Sequence, residues 1–587
     1  MKSLPLLFFL YILHIPALFS QDKHDFTWIL GYRPYVPNST FGGSYITFHN
    51  GKLESYHYDI PVTMDSGTSV SDEDGNLQIY SNGCKIINGQ HEEVFNGAGL
   101  SPGIYYDASC LDPWSAYLLY QGLLALPFPD EPTRYMLFHG GRELNYPLMN
   151  LHATLVDMRL QGGQGEAFQK NRLLVQDTLS LTFTAVKHAN GRDWWIVAPV
   201  LQRNMFYLFR LDPQGIHGPY IRDMGGAWLG PDSKGKAITF SPDGSRFLRM
   251  GEKKPAAFQL WDFDRCSGEF SNLRVITLPD TQTYAAWPAF APGSRYLYIS
   301  NNLDRLYQFD THAPDVAASI QLVGQYDGFR DNLNLPTAFF SMLPAPDGKI
   351  YLSCPNSVVY LHTIHNPDGP GTRCDFRQHD TRISSRYAFY LPNMPNYRLY
   401  QERGSPCDTL GVRPPTVAYW RSEPDTMPGS GTVWFRDLSY YEPTAWYWTF
   451  GDGQSSNQTN PVHTYREAGT YEVCLVVQSA NGADTLCREI TIKQVDGMGP
   501  GPDSTAFVLY PNPADQRLVF YSIQPPPLSF VELYNALGQK ALHVPLAWTD
   551  QEAIIPVADL PAGIYFWRVA APGGAVLGSG KVIIRHR

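Results

Sequence analysis

Six times between residues 26 and 400 the chain sets a short turn in front of an aromatic or aliphatic strand. Asp74-Gly75 precedes Leu77–Tyr80, Asp130-Glu131 precedes Arg134–Phe138, and Asn190-Gly191 precedes Asp193–Val197. Asp243-Gly244 precedes Ser245–Leu248, Gly293-Ser294 precedes Arg295–Ile299, and Asp347-Gly348 precedes Lys349–Leu352. Successive turns lie roughly 50 to 60 residues apart, the length of one four-stranded unit in a radial repeat. No other feature limits the choice of fold so strongly. A chain that repeats hairpins at this period stacks small antiparallel sheets, and each sheet buries its faces against its neighbours.

The second half of each unit agrees. Tyr207–Asp212, Leu260–Asp264 and Leu306–Asp310 alternate apolar and polar residues and end on aspartate. Alternation marks a half-buried strand, since successive side chains point to opposite faces. The closing aspartate suits a turn, where its carboxylate accepts from local backbone N–H groups. Residues 26–405 therefore read as a β-propeller. Six turns give six blades. A seventh follows if the strand Ser44–Phe48 pairs with Tyr387–Leu391 and closes the ring, and seven is the favoured count. Composition fits an all-β chain: 14% aromatic residues, 50 Gly and 47 Pro, with only 17% charged residues against ~25% in an average protein. The net charge of −10 and the lack of a basic stripe argue against a nucleic-acid partner. Ser241-Pro242-Asp243-Gly244 resembles the turn of bacterial WD-like and TolB-like propellers. Ala185–Trp195 is similar to a stretch in bacterial surface propellers that carry a PKD module and a type IX sorting domain. That resemblance implies a fold and no activity.

Enzyme signatures are lacking. Ser71–Gly75 has the wrong spacing for a sialidase Asp-box, the 16 histidines form no HExxH, and no GxSxG elbow is followed by suitable partners. His188, beside Asn190 and Trp194, most invites chemistry. A lone histidine without a defined partner reads instead as a turn or packing residue. No catalytic residue, cofactor or metal is expected.

The first twenty residues form a signal peptide: Lys2, then an apolar run from Leu4 to Phe19 broken by Pro5 and Pro16. It is too short and too interrupted to span a bilayer. No transmembrane segment is expected in the mature chain. The exported setting permits disulfides among the eight cysteines.

From residue 410 to 493 the pattern changes to short strands of a small Ig-like β-sandwich. Trp448-Thr449-Phe450-Gly451-Asp452-Gly453, followed by His463, Tyr465, Gly469 and Tyr471, resembles the signature of PKD domains. Trp448 and Phe450 are expected in the core, with Gly451 and Gly453 in a tight turn that Asp452 stabilises. Asn481-Gly482 centres a hairpin whose symmetry places Cys474 opposite Cys487, so these two are predicted to form a disulfide. Cys84–Cys110 and Cys354–Cys374 are expected from proximity in sequence.

Residues 494–505 are a Gly/Pro linker. Residues 506–587 read as a second small β-sandwich. Its segments Tyr510-Pro511-Asn512-Pro513, Leu533-Tyr534-Asn535 with Gly538, Leu560–Val569 with Gly563 and Tyr565, and the final Lys581-led strand resemble type A sorting domains of the type IX secretion system. The resemblance implies passage through the periplasm to the outer cell surface, with the secretion machinery as partner. The expectation for function is a secreted or surface-attached, non-enzymatic binding or adhesion protein. In it the propeller is the head for a protein or glycan ligand, and the PKD module is a spacer. The alternative is a hydrolase or lyase of polysaccharide or peptide with its site in the propeller funnel.

Overall fold

The computed structural model describes residues 22–586 except 38–39, 113–115, 118–120, 143–147, 181, 226–236, 252–254, 280–286, 412, 425–430, 493–506, 511–513, 523–524, 527, 536–537, 550 and 573–575. The signal peptide and the linker fall outside the described residues. Two compact units emerge. One holds Met1–Arg421 with Leu438–Thr444 and Val477–Asp484; the other holds Ser422–Asp437, Ala445–Val476 and Thr485–Arg587.

The first unit contains a ring of seven separate antiparallel sheets, each a simple meander. Blade 1 is Thr27–Gly31, Gly43–Thr47 and Glu54–Tyr58, and blade 2 begins at Thr68–Ser71. Blades 3 to 7 have four strands each and begin at Leu123–Phe128, Thr184–Lys187, Ile238–Phe240, Trp287–Phe290 and Met342–Pro344. The opening strands of successive blades adjoin around the ring. Blade 7 meets blade 1 through aromatic packing, with Tyr351 against Trp28 at 6.1 Å and Phe48 at 6.3 Å between ring centroids.

Each of the six turns joins the first and second strands of a blade, from blade 2 to blade 7. At Asn190-Gly191 the asparagine Oδ1 accepts from the N–H groups of Arg192 and Asp193 at 3.1 and 3.0 Å. Gly191 adopts φ +80°, and a Cβ there would stand 2.4 Å from the backbone nitrogen of Gln401. Only glycine meets both demands.

Ring closure differs from the expectation. Gly43–Thr47 lies between the other two strands of blade 1, paired on both sides, so it has no free edge for Tyr387–Leu391. Those residues form no ladder. Seven blades arise because blade 1, which carries no tight turn, is a complete sheet in its own right.

The PKD region forms two sheets. One joins Trp420–Pro424, Thr432–Asp437 and Val462–Thr464; the other joins Ser455–Ser456, Ala445–Thr449, Gly469–Ser479 and Gly482–Ile492. The C-terminal region also forms two sheets, around a core that includes Leu518, Phe520, Val531, Leu533, Val569 and Val582.

Candidate functional site

The centre of a propeller is its usual site, and here the chain fills its own. Leaving blade 7, residues 384–402 run without helix or ladder along the axis. Asn393 sits where the inner strands begin. Its side-chain amide donates to the carbonyls of Gln121, Leu123 and Phe183 at 3.2, 2.9 and 3.1 Å. Its N–H donates to Gly67 and its carbonyl accepts from the Thr68 hydroxyl. Tyr397 donates to the Ala125 carbonyl at 2.8 Å, midway along the inner strand of blade 3. Glu402 N–H reaches Ala189, beyond the far end of the blade 4 strand Thr184–Lys187. The segment thus runs the length of the channel. Pro392 and Pro395 help it do so, since proline brings no N–H that burial would strand. Ion pairs hold it, Arg265 with Glu402 at 3.8 Å among them. The Arg398 guanidinium meets Asp25 at 2.5 and 2.7 Å, and Arg386 meets the fully buried Asp331 carboxylate at 2.6 Å. Burial alone would raise the Asp331 carboxyl. The N–H groups of Leu335 and Leu333 and the Arg386 guanidinium outweigh it and hold the group below the usual range.

An open cleft lies elsewhere in the same unit. The connection between the first and second strands is two to six residues long in blades 2 to 7, but in blade 1 it spans residues 32–42. That loop, with Thr63 and Ser357, lines a cleft of about 430 Å³ through Tyr32, Arg33, Tyr35, Val36 and Phe41. Tyr35 is 77% exposed and Val36 66%. Both lie between Pro34 and Pro37, which limit the loop's freedom. The loop base is pinned. The Tyr32 hydroxyl is 2.5 Å from Ser357 Oγ, Arg33 N–H donates to Thr63 Oγ1 at 3.1 Å, and Arg386 N–H donates to Thr40. The Arg386 guanidinium also sits 5.6 Å from the centre of the Phe41 ring. Burial raises the Asp65 carboxyl, and its charge adds to the burial that raises the Tyr32 phenol.

One arrangement resembles a nucleophile and its base. Gly99-Leu100-Ser101-Pro102-Gly103 has the spacing of a GxSxG elbow. Ser101 adopts φ +49° and its Oγ is 2.5 Å from His139 Nδ1. The rest of the machinery differs from a triad. His139 Nε2 pairs with the Thr154 hydroxyl at 2.8 Å in place of a carboxylate. Burial, with His152 nearby, lowers the imidazole to about 3, far from a working base. Pro102 offers no N–H for an oxyanion. Sequence reasoning passed over this pair because its partner is distant along the chain. His188, by contrast, serves its turn: Nδ1 accepts from Asn190 N–H at 3.1 Å, Nε2 donates to the Cys266 carbonyl at 3.2 Å, and burial keeps the ring neutral.

In the PKD region Trp448 and Phe450 are buried. Asp452 accepts from Gln454 N–H and pairs with His463 at 2.8 Å, while His463 stacks on Phe450 at 4.1 Å. Gly451 has φ +78°, and a Cβ would meet the Glu472 carbonyl oxygen at 2.7 Å. In the C-terminal region Tyr510 pairs with Val519 in a ladder, and Pro511, Asn512 and Pro513 lie outside the described residues. Gly538 turns the hairpin after Asn535 with φ +75°. Gly563 opens the strand that holds Tyr565, whose hydroxyl donates to the Pro561 carbonyl at 2.8 Å, and Lys581 pairs opposite Phe566. Sequence reasoning missed Glu532, a buried carboxylate that joins Lys540 at 2.5 Å, Arg568 at 2.8 Å and His543 at 3.1 Å. These partners, Lys540 foremost, lower it to about 2.

Residues 508–585 match the family described as the secretion system C-terminal sorting domain. The chain is a type IX secretion cargo. The sorting domain indicates export to the cell surface or extracellular space and implies the type IX secretion machinery. Residues 425–494 of the cargo match the PKD domain family. Over 53 residues the cargo is 40% identical to collagenase ColQ1 of Bacillus cereus (strain Q1), and over 51 residues 41% identical to collagenase ColA of Bacillus cereus. These stretches are 9% and 8% of the cargo, which spans 5% of the length of either collagenase. Among solved structures, the PKD1 domain of the Vibrio cholerae metalloprotease PrtV is 26% identical, covering 14% of the cargo and 99% of that chain, with a TM-score of 0.13. A putative 6-phosphogluconolactonase from Bacteroides uniformis is 13% identical, covering 62% of the cargo and 99% of that chain, with a TM-score of 0.39. No helix among the described residues is long and apolar enough to cross a membrane.

Three disulfides suit an exported cargo: Cys84–Cys110, Cys474–Cys487 and Cys266–Cys407. Cys354 and Cys374 are unpaired and buried, contrary to the pairing expected from their spacing. Cys354 Sγ lies 3.4 Å from His362 Nε2, and burial pushes both thiols up to about 12. Neither is a nucleophile at neutral pH.

Proposed function

We propose that this cargo is a non-enzymatic binding protein of the cell surface or its surroundings, with the propeller as ligand-binding head and the PKD module as spacer. The observation that carries this reading is the filled axis: residues 384–402 occupy the channel where a funnel enzyme would place its substrate. An exposed, aromatic cleft on a pinned loop is a place for recognition without chemistry. The test incubates the secreted protein with soluble polysaccharides and peptides, and measures both retention and product release. Retention without turnover is expected. Turnover of any of them overturns the reading.

A further inference from the structure

The geometry points to the blade 1 cleft as a carbohydrate site, in which a sugar ring stacks on Tyr35 and Phe41 while its hydroxyls meet the polar groups beneath. This inference rests on the binding reading above and names its ligand class.

The cleft occurs where the first hairpin of blade 1 departs from the repeat. Blades 2 to 7 close their first hairpin with a tight turn, and blade 1 spends residues 32–42 on the same connection. A long loop adds ordering entropy and exposes apolar side chains, costs that a purely structural connection avoids. What the loop presents is an exposed aromatic surface flanked by two prolines. Tyr35 stands between Pro34 and the Val36-Pro37 pair, so little freedom is lost when a ligand arrives. Phe41 is 40% exposed and lies 5.9 Å from the Tyr32 ring. Its position is set from below by Arg386, itself locked by Asp331, Asn332 Oδ1 and the Ser357 carbonyl.

The chemistry of the lining selects among ligands. Three aromatic rings stand beside the hydroxyls of Tyr32, Thr63 and Ser357 and the Arg33 guanidinium. Among the described lining residues none carries a carboxylate, the nearby Asp65 lying outside the lining, and Arg33 puts a positive charge there. None of the described lining residues lies in a β-strand, so they offer no template for an added peptide strand. A pyranose has an apolar face of C–H groups that suits the electron-rich face of an aromatic ring. Its rim of hydroxyls suits alternating hydroxyl and guanidinium partners. The volume of about 430 Å³ lies within the range of small-ligand sites, ~300–1,000 Å³.

The experiment is affinity electrophoresis of the full secreted protein through gels that contain laminarin, mannan or polygalacturonate, with a proline-rich peptide column as a parallel arm. Retardation by at least one polysaccharide is expected, weakened about tenfold or more by Tyr35→Ala and by Phe41→Ala. Tyr35→Ala removes an exposed side chain, and an unchanged melting temperature separates lost contact from lost fold. A neutral-glucan or mannan ligand is recognised by retention that survives added salt. A polyuronate ligand is recognised by retention that salt and Arg33→Ala both abolish. No retardation in any gel, or retardation indifferent to Tyr35→Ala, overturns the carbohydrate assignment. Retention on the peptide column alone, lost in Tyr35→Ala, overturns the assignment while leaving the binding reading intact. Release of shortened sugars overturns the binding reading as well.

Discussion

The axis and the rim of the propeller solve opposite problems. At the axis, residues 384–402 bury most of their side chains, Phe389 excepted, and meet the carbonyls of several blades. At the rim, residues 32–42 leave Tyr35 and Val36 in solvent although nothing in their local sequence requires it. Both are irregular segments of similar composition, with two prolines and several aromatics each. The difference is what each covers. The axial segment supplies hydrogen-bond partners to several blades, whereas the rim loop is tied down at its base and holds Tyr35 and Val36 exposed. Irregular backbone that satisfies its own fold reads as structure; irregular backbone that exposes ordered rings reads as recognition.

The two regions meet at Arg386, so the contrast can be broken experimentally. The largest effect is expected from Cys266→Ser combined with Cys407→Ser. That bridge spans 141 residues and follows directly on the axial segment. Its removal is expected to cost roughly 5 kcal/mol on the chain-entropy account, read by denaturant unfolding of the propeller. A loss below about 1 kcal/mol would show that the axis holds without the bridge.

Next comes Arg386→Met, which leaves the buried Asp331 carboxylate without its cation and is expected to cost about 3–5 kcal/mol. The same substitution should weaken ligand retention at the cleft, because Phe41 loses its support. Retention unchanged in a destabilised protein would separate axis from rim. The pH dependence has a defined sign. The folded-state carboxyl of Asp331 is held below its unfolded value. Its contribution is therefore present above about pH 4, the ordinary aspartate value, and is lost as the pH falls below it. Asp331→Asn should flatten that acid-side slope in thermal melts.

Asn393→Ala removes the side-chain amide's hydrogen bonds to the Gln121, Leu123 and Phe183 carbonyls and is expected to cost about 1–3 kcal/mol with no change at the cleft. The smallest stability effect belongs to Tyr35→Ala, within about 0.5 kcal/mol, although binding should fall the most. A large loss of stability there would turn the rim loop into a second structural plug and remove the contrast.

Local rules were readable in the sequence. The turns at Asp74-Gly75 through Asp347-Gly348 sit at the first hairpin of six blades because turn chemistry needs only neighbouring residues. The Cys474–Cys487 bridge followed from hairpin symmetry in the same way. Proximity alone succeeded for Cys84–Cys110 and failed for Cys354–Cys374, since nearness along the chain does not align two side chains. Blade 1 escaped the pattern because it lacks the tight turn, and its lack of that turn is what makes the cleft.

By itself, then, the sequence determined the all-β class, six of the seven blades, the PKD and sorting domains and the export route, because periodicity, turn residues and short motifs are written in contiguous residues. Only the tertiary structure decided that the axis is closed by the chain's own Leu391–Asn396 stretch and that Cys266 meets Cys407. It also placed Tyr35 and Phe41 around an open cleft braced by Arg386. These pairings join residues up to hundreds of positions apart, and they exist only once seven sheets have closed a ring around the segment that fills it.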